Sequence, residues 1–281
     1  MIIFNDMFPT SKRTMKRSCI RLFLTGVFLM TQNKRQTQLV SLVQEKGFVA
    51  IDELVQHFNV TPQTIRRDLN QMADEGLIVR HHGGAESTST TANTSYQSRK
   101  ILNLDAKELI ANELVKIIPN GASLFINIGT TTETIARALL NHKDLNIVTN
   151  NIHVATILSS KEDFTVIIAA GEVRHRDGGI IGEATCDFIS QFQMDFGIIG
   201  ISGITLDGSL VDFDFREVKV AQAIIDNSDT VILAADHSKF GRSAMVKQGS
   251  ICQVNHLFTD QTPPAEIVEI LSSHQIESHI I

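Results

Sequence analysis

The stretch at 59–85, NVTPQTIRRDLNQMADEGLIVRHHGGA, constrains the fold of this 281-residue chain more than any other. Thr61 is a good helix N-cap, and Pro62 takes the first helical position, where a missing N–H costs nothing. Ile65, Leu69 and Met72 recur at i, i+4 and i+7 and therefore share one face of the helix. The opposite face carries Gln63, Thr64, Arg66, Arg67, Asn70 and Gln71, side chains that reach phosphates and base edges. Gly76 is placed to end the helix as a left-handed cap. A short strand at 77–80 and a tight turn at His81-His82-Gly83-Gly84 follow. Helix, strand and turn together read as a winged helix-turn-helix.

The residues just before this stretch supply the rest of a small core. From Thr31 a first helix presents Leu39, Leu42 and Val43 on one face and stops near Gly47. Phe48-Val49-Ala50 is a short extended piece, and Asp52 is expected to cap a second helix bearing Leu54 and Phe58 four apart. Three apolar stripes close a core of about 55 residues, near the lower limit for folding alone. The reading head is thus expected at 30–85.

Charge limits how such a head can work. The formal net charge is −6, so any contact with DNA must be a local patch. Within the head, Lys34, Arg35, Lys46, Arg66, Arg67 and Arg80 are matched in number by Glu45, Asp52, Glu53, Asp68, Asp74 and Glu75. A single copy is then expected to bind weakly, which favours a homo-oligomer, dimer or tetramer, setting two helices on one duplex. Cys19, Cys186 and Cys252 are few, odd in number and far apart, so no disulfide framework or zinc pattern follows and a reducing cytoplasm is expected.

Residues 1–29 stand apart. Lys12, Arg13, Lys16, Arg17 and Arg21 precede an apolar run from Leu22 to Met30, but no small-residue cleavage site follows. The run is short of the ~20 apolar residues that a membrane span needs. We read 1–29 as a start-codon extension or a disordered arm, and expect no membrane partner. Residues 86–98, ESTSTTANTSYQS, hold almost nothing apolar and read as a hinge.

After Arg99 the texture changes to alternating helices and apolar strands. Strands are expected at 123–128, 145–149, 164–170, 196–200, 230–235 and 256–260, each beside a helical segment. Repeated strand–helix units imply an α/β domain over 99–281, with a mostly parallel sheet covered on both faces. Ligands on such sheets lie at the carboxyl ends of the strands. Gly129-Thr130-Thr131-Thr132 follows one strand and opens a helix, where backbone N–H groups and hydroxyls suit an anionic phosphate or merely cap the helix. It is neither a Walker loop nor a Rossmann fingerprint. Asn150, Asn151, Gly171, Glu183, Gly203, Glu217 and Lys239 stand at other strand or helix ends, and convergence on one crevice is expected. Lys239 could supply a cation for phosphate. Asp212, Asp214 and Glu217 offer carboxylates without a paired base nearby in the chain, so no catalytic residue is assigned. His81-His82 lacks a third ligand at a suitable spacing, so neither a metal nor any other cofactor is expected.

Asp52-Glu53-Leu54, the run VTPQTIRRDL at 60–69 and RHHGG at 80–84 strongly resemble the DeoR-type family of bacterial regulators of sugar and polyol metabolism. Ile128-Gly129-Thr130-Thr131, Thr149-Asn150-Asn151, Gly171-Glu172, DGGIIGEA at 177–184 and DHSKFG at 236–241 resemble that family's effector domain. The resemblance covers nearly everything from Met30 onward and leaves 1–29 outside. It implies a repressor of glycerol-3-phosphate metabolism genes, with double-stranded operator DNA and a small phosphorylated effector such as glycerol-3-phosphate as partners. Thr61, Gln63, Thr64, Arg66, Arg67 and Asn70 would face the duplex, with Arg80, His81, His82, Gly83 and Gly84 on its backbone. The same effector domain is similar to ribose-5-phosphate isomerase and its relatives, so a repressor of another sugar-phosphate pathway, or an isomerase-like enzyme with an appended head, is the rival reading. Those enzymes place acidic residues after the strand that here ends Gly200-Ile201-Ser202-Gly203, where no carboxylate stands.

Overall fold

A computed structural model describes residues 34–43, 46–87 and 96–281. The stretch expected to be an extension, 1–29, and the start of the first helix lie outside the described residues. In the head, α1 runs over 34–43, β1 is Phe48–Ala50, α2 is Ile51–Phe58 and α3 is Pro62–Asp74, followed by β2 (Ile78–His81) and β3 (Gly84–Ser87). Leu39, Val43, Leu54, Ile65, Leu69 and Met72 meet in one buried cluster, as their helical spacing requires. Asp52 does not cap α2: the helix already begins at Ile51, with Ala50 in the cap position and no side-chain hydrogen bond there. The extended piece at 48–50 has a structural partner that local spacing did not reveal. It pairs antiparallel with β3, Val49 opposite Ala85, so the wing is three strands in the order β1-β3-β2.

The expected hinge is shorter at both ends. Glu86 and Ser87 belong to β3, and a helix α4, Tyr96–Ile101, begins before the expected boundary. Residues 88–95 lie outside the described residues.

The larger body is built as α5 (Leu104–Leu114), β4 (Ser123–Ile126), α6 (Thr130–Leu139), β5 (Asn146–Thr149), α7 (Ile152–Leu158) and β6 (Thr165–Ile168). A hairpin, β7 (Glu172–Arg174) and β8 (Gly179–Ile181), leads to α8 (Glu183–Ile189) and β9 (Met194–Ile199). Then come β10 (Gly203–Ile204), β11 (Ser209–Asp212), α9 (Phe215–Asp226), β12 (Ser228–Ala234), β13 (Val246–Ser250), β14 (His256–Thr259), α10 (Ala265–Ser273) and β15 (Glu277–Ile280). Seven strands form one sheet in the order β15-β14-β12-β9-β4-β5-β6, and every described pairing in it is parallel.

Alternation along the strands divides the core. Leu124 and Ile126 of β4 join Ile110, Ile135 and Val154 of α5, α6 and α7 on one face. Phe125 between them joins Val220, Ile224 and Ile267 of α9 and α10 on the other. The small antiparallel sheet β10-β11-β13 and the β7-β8 hairpin were not foreseen, because strands of two to five residues leave little periodicity to read. The chain steps from β4 outward through β5 to β6, then returns to β9 on the opposite side of β4 and steps outward again. The direction of winding therefore reverses between β4 and β9, which makes a crevice at their carboxyl ends.

Candidate functional site

On the head, α3 turns Ile65, Leu69 and Met72 inward and leaves Gln63, Arg66, Arg67, Asn70 and Gln71 exposed, with Thr64 half-buried. Thr61 caps it, its hydroxyl accepting the N–H of Thr64 at 3.3 Å. After Asp74 the chain turns through Gly76 at φ +70°, and the N–H of Leu77 reaches the carbonyl of Met72 at 2.9 Å. Asp68 changes the charge argument. It is buried, taking Arg35 Nε at 2.7 Å and Gln36 Nε2 at 3.2 Å, so it fastens α1 to α3 and does not oppose the exposed arginines. Counting charges along the head had set it against them.

Arg80 and His81 sit differently from the rest of the reading face. They are half-buried, and with Glu86 they line a cleft whose far wall is His237, Phe240 and Arg242 of the larger body. His81 Nε2 lies 3.0 Å from Glu86 Oε2, and Arg80 Nη1 donates to the His81 carbonyl at 2.6 Å. His82 and Gly83 at the turn are exposed, and Gly84 is buried in β3 against β1.

The crevice at the β4–β9 switch is lined by Arg99, Gly129, Thr130, Thr131, Ser202, Asp212, Glu217 and Lys239, among others. Gly129 precedes α6 at φ +155°, a conformation that L side chains rarely adopt, so the loop turns its amides to the crevice only with glycine there. Thr132 is turned away from it, donating from Oγ1 to the carbonyls of Asn127 and Gly129 at 2.8 Å each, which pins the loop to its strand. The first turn of α6 carries N–H groups without intrahelical acceptors, and its dipole favours an anion.

Of the residues expected to converge, Gly129, Thr130, Thr131, Glu217 and Lys239 do line this crevice. The others are placed elsewhere. Asn150 is fully buried and donates to the Ile180 carbonyl at 3.1 Å, while Asn151 caps α7 through Oδ1. Gly171 packs on Thr185 of α8, and Gly203 in β10 backs onto the Arg242 carbonyl. Glu183 starts α8 and lines a separate cleft with Cys186, Phe215 and Lys219. Arg99, Ser202 and Asp212 enter the crevice unannounced by any local motif. Arg99 stood at the edge of the Ser/Thr-rich stretch, where spacing says nothing about its partners. Two carboxylates, Asp212 and Glu217, thus reach the crevice from β11 and α9 although none follows β9 directly.

The charges there are strongly coupled. Lys239 is only 9% exposed; its amide donates to the Asp236 carbonyl at 3.0 Å, but its ammonium has no hydrogen bond or ion pair within reach among the described residues, and burial lowers its pKa against the pull of the Asp236 charge. An ammonium held that way is poised for an anion. Burial pushes the Asp236 carboxyl upward, but the Lys239 charge and the Ser238 hydroxyl, which donates to it at 2.5 Å, hold it at about 2. Lys107, behind the crevice, is brought down to about 7 by burial and by the Lys239 charge. Glu217 is raised to about 7 by burial and by Asp212, though Arg174 Nη2 donates to it at 2.7 Å. Arg174 also binds Asp177 through two bonds, at 2.8 and 2.7 Å, and Asp214 at 2.9 Å. Among the described residues one grouping could hold a metal ion: His256, Glu277 and His279. His256 and Glu277 open the paired edge strands β14 and β15, with His279 two residues further along β15, and none of the three lines the crevice. No helix among the described residues is long and apolar enough to cross a membrane.

Comparison with known proteins accounts for both bodies. Residues 35–91 match the DeoR-like helix-turn-helix domain, and 102–261 match the DeoR C-terminal sensor domain. The chain is 55% identical to the glycerol-3-phosphate regulon repressor of Escherichia coli over 248 residues, covering 88% of this chain and 98% of that protein. It is 52% identical to the protein of that name from Haemophilus influenzae, covering 83% and 91%, and 40% identical to the repressor CsqR of Escherichia coli, covering 88% and 95%. Among solved structures, ribose 5-phosphate isomerase A of Methanocaldococcus jannaschii is 14% identical, covers 49% of this chain and 55% of its own, and superposes with a TM-score of 0.37, which says nothing about activity. With its reading head and its sensor domain each matched, the chain belongs to the DeoR family of DNA-binding transcriptional regulators.

Proposed function

We propose that this protein is a transcriptional repressor of glycerol-3-phosphate metabolism genes, released from operator DNA by glycerol-3-phosphate. The observation that carries this reading is the crevice at the winding reversal. A helix N-terminus at Gly129–Thr131 shares that crevice with the buried Lys239, whose ammonium has no hydrogen-bond partner among the described residues, in the same chain as an exposed Arg66–Arg67 helix face. The phosphate of the effector is held by those amides, hydroxyls and the ammonium. Gln63, Thr64, Arg66, Arg67 and Asn70 meet the major groove and its flanking phosphates, and the wing tip meets the backbone. A dimer or tetramer supplies two heads to one operator. The names of the close relatives support the choice of glycerol-3-phosphate over other phosphorylated compounds.

Asp212 and Glu217 in the crevice keep a second reading in view, a sugar-phosphate isomerase with an appended head. One titration separates the two. Operator fragment held by the purified chain should be released by glycerol-3-phosphate, with ribose and fructose phosphates much less effective. Turnover of a sugar phosphate, with no effect of any phosphorylated polyol on operator binding, would sink the repressor reading.

A further inference from the structure

His256, Glu277 and His279 belong to two neighbouring strands at one edge of the seven-stranded sheet, apart from the crevice. We propose that they form a binding site for one divalent transition-metal ion of the zinc class, which ties the edge strand β15 to the sheet. The proposal is independent of what the crevice binds.

Register explains why the three side chains meet. β14 and β15 run parallel, with His256 opposite Glu277 and Phe258 opposite His279. Residues two apart on a strand share a face, so these side chains stand on the same side of the sheet. His256 Nδ1 lies 3.2 Å from Glu277 Oε2 and 3.3 Å from His279 Nε2, and His279 Nε2 lies 3.8 Å from the same carboxylate oxygen. Ligand atoms about 2.0–2.2 Å from a tetrahedral zinc ion stand about 3.3–3.6 Å from one another. The three atoms are thus close to one face of such a tetrahedron.

Hydrogen bonding alone serves this group poorly. A neutral imidazole nitrogen either donates or accepts, so a proton on His256 Nδ1 can point at the carboxylate or at His279, not squarely at both. A proton on His279 Nε2 instead sets the His256 lone pair against Glu277. A cation takes electron pairs from all three atoms at once. Two imidazoles with one carboxylate select zinc and its neighbours over magnesium and calcium, which take oxygen ligands.

The surroundings fit a metal ligand set. The His279 ring stacks on Phe258 at 4.1 Å and 5°, and Phe258 is fixed in the buried cluster with Ile110 and Leu114 of α5. A ring oriented in advance loses less freedom on binding. Glu277 is exposed, so water reaches the cluster and supplies the fourth ligand. Within the sheet β15 is bonded to β14 alone, and an ion shared by the two strands stabilises the folded form by mass action. Local spacing gave no sign of the site, because the two histidines are 23 residues apart in the chain.

The test uses the full chain, stripped of metal by dialysis against EDTA. Zinc sulfate is titrated in competition with a chromophoric chelator, and cobalt(II) chloride is the spectroscopic probe. Wild type is expected to bind one ion per chain, with the intense visible absorption of tetrahedral cobalt(II) and no sulfur-to-metal charge-transfer band. The missing band separates the site from Cys186 and Cys252. Zinc at a hundred times its Kd should raise the melting temperature of the sensor domain by about 5–10 °C, and magnesium should not. H256Q, E277Q and H279Q should each weaken zinc binding at least about tenfold, the loss that even a ligand's supporting partner causes. If H256Q melts early without metal, H279Q and the exposed change E277Q carry the test. No ion bound by wild type at micromolar zinc, wild-type affinity in these variants, or the weak spectrum of octahedral cobalt(II) overturns the proposal.

Discussion

Glu86 on the wing strand lies 3.9 Å from Nη1 of Arg242 in the sensor domain, and its other carboxylate oxygen meets His81 at 3.0 Å. Burial pushes this carboxyl upward, but the His81 hydrogen bond and the charges of Arg242, His81 and Lys239 outweigh it and leave the pKa lowered. Glu86 therefore stays charged near neutrality and connects the wing to the same loop that carries Lys239.

If this contact couples the domains, E86Q should change communication more than binding. Operator affinity without effector and crevice affinity without operator should each stay within about threefold of wild type. The factor by which glycerol-3-phosphate weakens operator binding should fall by about fivefold, the reach of a partly buried pair worth up to about 1 kcal/mol. Paired operator titrations with and without effector measure it, and an unchanged factor removes Glu86 from the coupling.

Arg66 and Arg67 are exposed on α3 while Asp68 beside them is turned into the core by Arg35. Replacing both arginines by alanine should abolish tight operator binding and reduce the salt slope of log K by about 2 per head if both neutralise phosphates. Calorimetric binding of glycerol-3-phosphate should be unaffected. A slope equal to that of wild type would place both side chains off the backbone.

Effector binding should take up protons near pH 7. Glu217 is raised to about 7 by burial and Asp212, and Lys107 is brought down to about 7 by burial and the Lys239 charge. An arriving phosphate dianion disfavours the ionised carboxylate and favours the ammonium, so both groups gain protons on binding. Calorimetry of glycerol-3-phosphate binding at pH 7, in buffers of different ionisation enthalpy, should show net uptake that falls in E217Q. Release of protons would contradict this placement of the anion.

Glu217 also sets a pH trend in stability. Its folded pKa lies above the ordinary value of 4.5, so its ionisation costs nothing below about pH 4.5 and opposes folding fully above about pH 7. Relative to wild type, E217Q should become more stable as pH rises through that window, by up to about 3 kcal/mol on the scale of about 1.4 kcal/mol per pKa unit. Melting curves from pH 4.5 to 8 measure it; a parallel pair of curves would show that Arg174 keeps this carboxylate ionised throughout.

Gly84 has no room for a side chain. A Cβ there would stand 2.3 Å from the Val49 carbonyl oxygen and 2.6 Å from Phe48 Cζ, and the carbonyl belongs to the strand that closes the wing. G84A should force β1 away from β3 and cost the head about 1–3 kcal/mol, the usual range for overpacking. Operator binding should weaken sharply, and the melting of the sensor domain should not change.

Much of this protein is written in short-range pattern. Thr61-Pro62 and the spacing of Ile65, Leu69 and Met72 determine α3 and its exposed face, because caps and helical periodicity act within a few residues. Apolar strands alternating with helices determine a parallel sheet, and GTTT after a strand determines an amide-rich turn. What the tertiary structure decided is who meets whom. The reversal of winding between β4 and β9 chose which strand ends share a crevice, keeping Gly129 and Lys239 and leaving out Asn150, Glu183 and Gly203. It brought in Arg99 and Asp212 from segments 113 residues apart in the chain, a separation no periodicity spans. It turned Asp68 inward and set Glu86 against Arg242, so charges that look balanced along the chain are divided between a core, a reading face and an interdomain contact. Local backbone preference selects elements; only packing, acting without regard to chain order, selects the neighbours that make a site.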